Sequence, residues 1–391
     1  MEVLPPTIAD AESLGLIGEI LRVRPTVPAT SALRAKLFRS SWQQLVDFAS
    51  GHAVLMPCIL ALKQRALLLP LPRSGGKGSG THVTSVLEDA YARHLDRRAA
   101  LREQLAELVA ALNRHGIVPL LIKGGRYLTD DSPPWSEARD MRDLDILVPR
   151  GSAAAAIAAL EAEGYAAASR EAPTDQHLPE MRRSDRCSTV EPHVEALGYA
   201  GRRIVATDLL WSVSVAGCLA DRQLRVLPPA WHLLHALLHH QVSDRGYARH
   251  VLALKDVWEF ACHADGLPAE DWRAIAHHMQ RAGAADILGS LIAQAELLFG
   301  LVPPASVTPS AAARAHAEKT LRRAQSPTWL RRFLFAADKL SFAFAPQTLA
   351  ARYPGSKGNP LGVAGRHIGF LLRLHGADTL RRLRNRRDGA N

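Results

Sequence analysis

Apolar positions recur at three- and four-residue spacing over most of this chain. In one region only, they give way to short runs that suit strands. Helical spacing is clear between Leu14 and Leu21, and again around Leu45, Phe48, Val54 and Leu55, so residues 1 to about 72 are read as helices. From Val83 to His115 a long helix is predicted, with Leu101, Leu105, Leu108 and Leu112 on one face and Gly116 as its stop. Ala153 to Gly164 is an alanine-rich helix. Pro228 and Pro229 then open a region, Trp231 to about Gly300, that is helical throughout, since proline suits a helix's first turn. Beyond Pro303 and Pro304 the chain reads as helical, basic and irregular, with a loop from Tyr353 to Pro360 and no internal repeat.

Between the long helix and Pro228 the pattern changes. Ile117 to Lys123 is a short apolar run that reads as a buried strand, with Pro119 at a sheet margin or at the strand's start. A Gly124-Gly125 turn, a short helix from Arg126 and a loop over 129–134 follow, and Leu144 to Val148 completes a second strand. Tyr165 to Ala168 and Leu224 to Leu227 are further strand candidates, and 169–187 is polar and irregular. The expected fold class is α+β, mostly helical, with a small mixed sheet between N-terminal and C-terminal helical regions. Four parts are expected: a helical segment and linker over 1–82, the sheet-bearing core over 83–227, a helical domain over 228–305, and a basic helical extension over 306–391.

Composition narrows the class. With 391 residues, 47% hydrophobic and 22% charged, the chain has the make-up of a soluble globular protein with a sizeable core. Cys58, Cys187, Cys218 and Cys262 are scattered without a Cys-x-x-Cys pair, which argues against a disulfide framework or zinc knuckle and fits a cytoplasmic setting. No signal peptide is expected from the first residues, and the most apolar stretch, Ala53 to Leu71, is broken by Lys63, Gln64 and Arg65 and makes a poor membrane span. The net charge of +10 suggests an anionic partner. Much of the excess is the arginine cluster at 381–387, read as a solvated tail because no aromatic residues interleave with it as a stacking platform requires. The glycine-rich stretch from Pro70 to Gly80 lacks the order of a phosphate loop and is read as a linker.

The candidate chemistry lies in the strand region. Asp143 and Asp145 stand at i and i+2, so both project from one face of an extended strand. Two carboxylates on one face repel, and a Mg²⁺ ion bound through them and through nucleotide phosphates would offset that cost. The Gly124-Gly125 turn puts backbone N–H groups where such phosphates could lie. Glu191, His193 and Glu195 also share a face if 190–195 is extended. Should that strand lie beside the aspartates, a carboxylate triad results, suited to nucleotidyl transfer at one or two metals. His235 and His239 have a metal-binding spacing but no accompanying glutamate or cysteine, and are read as hydrogen-bonded core or groove histidines.

Gly-Gly, then Asp-x-Asp, then a third acid on a later strand resembles the polymerase-β-like nucleotidyltransferase superfamily. More closely, Ile122 to Leu128, Arg139 with Asp143 to Val148, Gly164-Tyr165, His177 and Glu191-x-His193 resemble the bacterial uncharacterised nucleotidyltransferase family over roughly 83 to 300. The resemblance implies that Asp143, Asp145 and Glu191 are catalytic and hold metal. It further implies that Lys123, Gly124, Gly125, Arg126, Arg139 and His193 bind the nucleotide or orient the acids. Three departures stand out: a long Gly125-to-Asp143 span, Pro192 between acid and histidine, and Val194 where Trp is usual. Pro192 suggests an edge strand or a bulge. Glu195 competes with Glu191 as the third ligand, and the motif favours Glu191. The implied reaction is Mg²⁺-dependent transfer of a nucleoside monophosphate, AMP from ATP foremost, to a hydroxyl of a small molecule, sugar, peptide or protein. Alternatives are a non-catalytic, antitoxin-like nucleotide- or partner-binding member, and an RNA-end nucleotidyltransferase, the latter motivated by the charge.

Overall fold

The computed structural model describes residues 10–68, 80–168, 176–344, 349, 362–363 and 365–369. The stretch 70–79, the loop at 353–360 and the arginines at 381–387 lie outside the described residues. Four helices come first: α1 (Asp10–Ile20), α2 (Val27–Leu37), α3 (Trp42–Gly51) and α4 (Leu55–Gln64). The long α5 (Gly80–Arg114) follows, with Leu101, Leu105, Leu108 and Leu112 buried as their spacing predicts. Gly116, at φ 69°, ends that run in the left-handed conformation that glycine adopts without strain.

Next come β1 (Leu120–Leu121), a 3₁₀ turn (Lys123–Leu128), β2 (Asp143–Leu147), α6 (Ala153–Ala162), β3 (Ala166–Ala167), β4 (Met181–Arg182) and β5 (Thr189–His193). Short α7 (Tyr199–Arg202) and α8 (Thr207–Val213) lead to β6 (Val215–Leu219) and β7 (Arg222–Val226). These last two strands form a hairpin through Ala220 and Asp221, both at positive φ, as a tight primed turn requires. Helices α9 (Pro229–Leu237), α10 (Leu254–Ala264), α11 (Ala269–Arg281), α12 (Ala285–Phe299) and α13 (Ala311–Ala324) follow, with a π-helical turn (Leu238–Ser243) after α9. The chain divides after Ser326 into two compact units, and the second contains α14 (Thr328–Ala343).

All seven strands form one mixed sheet in the order β3-β4-β5-β2-β1-β7-β6. The α+β, mostly helical class is therefore observed. On β2, Leu144 and Ile146 turn to one face and pack with Leu101, Leu105 and Leu108 of α5 and Ala156 and Leu160 of α6. Leu147 belongs instead to the core built with α9, α10 and α12, as do Leu120 and Ile122 around β1. The sheet is thus apolar on both sides, and Asp143 and Asp145 share the Leu147 face by strand alternation.

Pro192 does not mark an edge strand. β5 is internal, between β4 and β2. The carbonyl of Pro192 accepts from the Leu178 N–H at 2.9 Å, so its ring nitrogen faces the β4 side as well. There β5 pairs with β4 only at Val190 and next forms a bridge at His193, so the absent N–H costs no ladder bond.

Candidate active site

β2 and β5 run parallel in a register that sets Asp143 opposite Thr189, Asp145 opposite Glu191 and Leu147 opposite His193. The register follows from the apolar residues. Leu144 and Val190 are paired in the α5/α6 core, which turns the alternate positions of both strands to the other face. Asp145, Glu191 and His193 therefore meet, with Asp143 two residues along.

Asp145 is the centre of the cluster and only 2% exposed. Its Oδ1 lies 2.7 Å from Lys123 Nζ and 2.8 Å from His193 Nε2. Burial pushes its carboxyl up, but the His193 and Lys123 bonds outweigh burial and hold it well below the usual carboxylate range. Burial opposes the Lys123 charge too, yet the Asp145 carboxylate raises its affinity for the proton. Lys123 sits at φ 46°, a conformation uncommon outside glycine, immediately before the glycine pair.

The other two acids are not neutralised in this way. Burial, then the Asp145 charge, raises Asp143, and the same two causes push Glu191 up to about 7. His193 is buried and lowered by burial; its Nδ1 has no hydrogen-bond partner among the described residues. His177, bridged to His193 through the backbone, holds its ring tilted at 50° to that of His193, 4.3 Å between centroids. Glu191 Oε2 is 3.8 Å from His193 Nε2.

Glu195 is engaged elsewhere, accepting from Arg150 and from the Thr207 hydroxyl and lying 3.2 Å from Arg202. Arg139 is buried in an ion pair with Glu259 of α10 at 2.8 Å, with its guanidinium over the Tyr127 ring. A Cβ at Gly124 would lie 2.5 Å from that guanidinium, so any other residue there must displace Arg139 from its present place. Gly125 is also buried and donates its N–H to the Ile122 carbonyl at 3.1 Å. Arg126 bonds the Thr129 hydroxyl at 3.1 Å.

Of the groups that approach from the helical side, the sequence reading singled out His239 as a core or groove histidine and missed Asp244 and Lys255. His239 and Asp244, on and just after the π-turn, pair at 3.2 Å. The His239 charge lowers His193 and His177, and Lys123 lowers Asp244, so the pair faces the acid cluster electrostatically. Lys255, at the start of α10, acts likewise on Asp143. The one signal in the sequence was the density of histidine on this segment. His235 donates its Nε2–H to the Ala196 carbonyl at 3.0 Å, as a core histidine would.

The family model described as "Uncharacterised nucleotidyltransferase" matches residues 39–300, which contain the whole sheet and the acid cluster. No curated relative and no solved structure matches the chain. A match over more than half of the chain settles its membership: the protein belongs to this uncharacterised nucleotidyltransferase family and is a nucleotidyltransferase.

Proposed function

We propose that the chain transfers a nucleoside monophosphate, AMP from ATP foremost, to a hydroxyl of a small molecule, sugar, peptide or protein, in a Mg²⁺-dependent reaction that releases pyrophosphate. The observation that carries this reading is the in-register placement of Asp145 and Glu191 on adjacent strands, with Asp143 on the same face. The donor set fits a hard divalent ion. It consists of carboxylate oxygens, and burial and mutual repulsion leave Asp143 and Glu191 raised until a cation offsets them. When bound, such ions supply charge neutralisation on the triphosphate and a lowered pKa for the attacking hydroxyl.

In this reading Asp143, Asp145 and Glu191 hold the metal. Lys123 and His193 fix Asp145 from two directions, so the carboxylate meets its ligand already oriented. The acceptor oxygen bonds to the α-phosphorus as the bond from that phosphorus to the bridging oxygen breaks. Glu191, the third carboxylate of the set, either holds the second metal or accepts the hydroxyl's proton. Gly124, Gly125, Lys123 and Arg126 are assigned to the triphosphate side. Arg139 is assigned to positioning that turn through its packing on Gly124. The acceptor is placed between the sheet and the helices from 229 onward, where His239, Asp244 and Lys255 approach. The four scattered cysteines, each a free thiol, suit a reducing, cytoplasmic setting, and no described helix is long and apolar enough to cross a membrane.

The test is to incubate the protein with Mg²⁺, α-labelled nucleotides and candidate hydroxyl acceptors, beside an Asp143→Asn/Asp145→Asn variant. Label on an acceptor, with pyrophosphate released and both lost in the variant, is expected. Absence of nucleotide binding and of transfer in the wild type overturns the reading.

A further inference from the structure

A second donor set, of different chemistry, adjoins the three acids. One ligand atom each from His177, Glu191 and His193 lies within 4.8 Å of the other two. The set is built by the fold. The backbone bridge between His177 and His193 fixes their separation, and β5 alternation puts Glu191 and His193 on one face. Asp145 holds His193 by Nε2 at 2.8 Å, an arrangement that orients an imidazole for a metal. The other ring nitrogen, Nδ1, is buried without a hydrogen-bond partner among the described residues, which is uncommon for a buried polar atom.

Two imidazoles and one carboxylate form a donor set for zinc or another first-row transition metal, whereas magnesium takes oxygen ligands. Ligands bonded at about 2.0–2.2 Å to a tetrahedral ion stand about 3.4 Å apart, so contraction of roughly an ångström closes the cluster. His177 is half-buried in the segment between β3 and β4, with its ring 4.3 Å from that of His193 between centroids. Three protein ligands leave one position open, as catalytic rather than structural sites do.

We infer that His177, Glu191 and His193 bind a transition-metal ion of the Zn²⁺, Co²⁺ or Mn²⁺ class beside the carboxylate site. Its binding does not depend on the nucleotidyl-transfer reading. Its role does rest on that reading: sharing Glu191, the ion would be the second of a metal pair.

The experiment titrates metal-stripped full-length protein with Co²⁺ and Zn²⁺ by absorption spectroscopy and calorimetry. Wild type, His177→Ala, His177→Gln and Asp143→Asn are compared, with thermal melts to check folding. Mg²⁺-dependent ATP binding is measured on the same samples. One equivalent of Zn²⁺, displacing Co²⁺ and its visible band, is expected for wild type and Asp143→Asn. Both His177 variants are expected to lose affinity at least about 10-fold, the usual cost of impairing a metal site. Wild type that binds no stoichiometric Zn²⁺ or Co²⁺, or folded His177 variants that bind as tightly as wild type, overturns the inference. His177-dependent Zn²⁺ binding without any Mg²⁺-dependent ATP binding would instead sink the nucleotidyl-transfer proposal and leave the metal site standing.

Discussion

At the scale of single residues the acid cluster is electrostatically divided, and the division makes opposite predictions for neighbouring side chains. Asp145 is stabilised as an anion, whereas burial and repulsion disfavour the charges on Asp143 and Glu191. Glu191→Gln and Asp143→Asn should therefore raise the metal-free melting temperature. After allowance for solvent screening, Glu191→Gln should add about 1–2 kcal/mol. Both should lower transfer by about 100-fold or more, the size expected for a lost general base or metal ligand. Calorimetry and label transfer on the same samples check both halves; a loss of stability would show that these charges are compensated. Lys123→Met should act in the reverse sense, because it leaves a buried carboxylate with one cation fewer. Breaking such a pair costs about 3–5 kcal/mol, read by urea unfolding without metal, and a change under about 1 kcal/mol would contradict this picture.

At the scale of elements, the segment between β1 and β2 is tied to the helical layer by a buried ion pair as well as by the Tyr127 hydroxyl on His263. Arg139 and Glu259 are each less than 10% exposed, and Gly124 is free of a side chain where the guanidinium passes. Each single change to methionine should cost about 3–5 kcal/mol, and the double change should cost clearly less than the two together. A double-mutant cycle by chemical denaturation measures the coupling, and strict additivity would mean that the pair is not one unit. The strands differ in how far the sequence exposed them. The alternation in Asp143 to Leu147 made β2 legible with its carboxylate face. β4 and β6 were not, since two residues in a polar stretch and a largely exposed edge strand carry almost no hydrophobic pattern. Of the two readings of Pro192, the edge strand fails because β5 is internal, while the one-residue slip between the Met181–Val190 and His177–His193 pairings fits the bulge; which neighbour the ring nitrogen faces is a property of the sheet.

At the scale of the molecule, the buried histidines set the acid limit of stability. Burial lowers His235 to about 3 and His263 to about 4, both from 6.5. Their unfolded forms bind protons first, so the stability they leave intact above 6.5 is lost as pH falls toward those values. Glu191 has the opposite sign. Raised from 4.5 to about 7, it favours the folded state at low pH, and that contribution fades as pH rises through this window. Urea midpoints without metal should therefore fall between pH 7 and 4.5, and fall more steeply in Glu191→Gln. A midpoint that rises on acidification would refute the histidine account.

The helical regions, the long α5 with its leucine face, and the Asp-x-Asp strand were determined by the sequence, because each is a local pattern of period 3.6 or 2. The residue types of the candidate site were legible as well, and family resemblance ordered them. Only the tertiary structure decided between Glu191 and Glu195 as neighbour of Asp145. The expected extension of 190–195 stops at His193, so the β2–β5 register sets Glu191 beside Asp145, while Glu195, in the bend beyond the strand, is held by Arg150, Arg202 and Thr207. It likewise decided that Arg139 faces Glu259 and that the His177 ring lies against His193, since contacts between residues far apart in the chain leave no periodic trace.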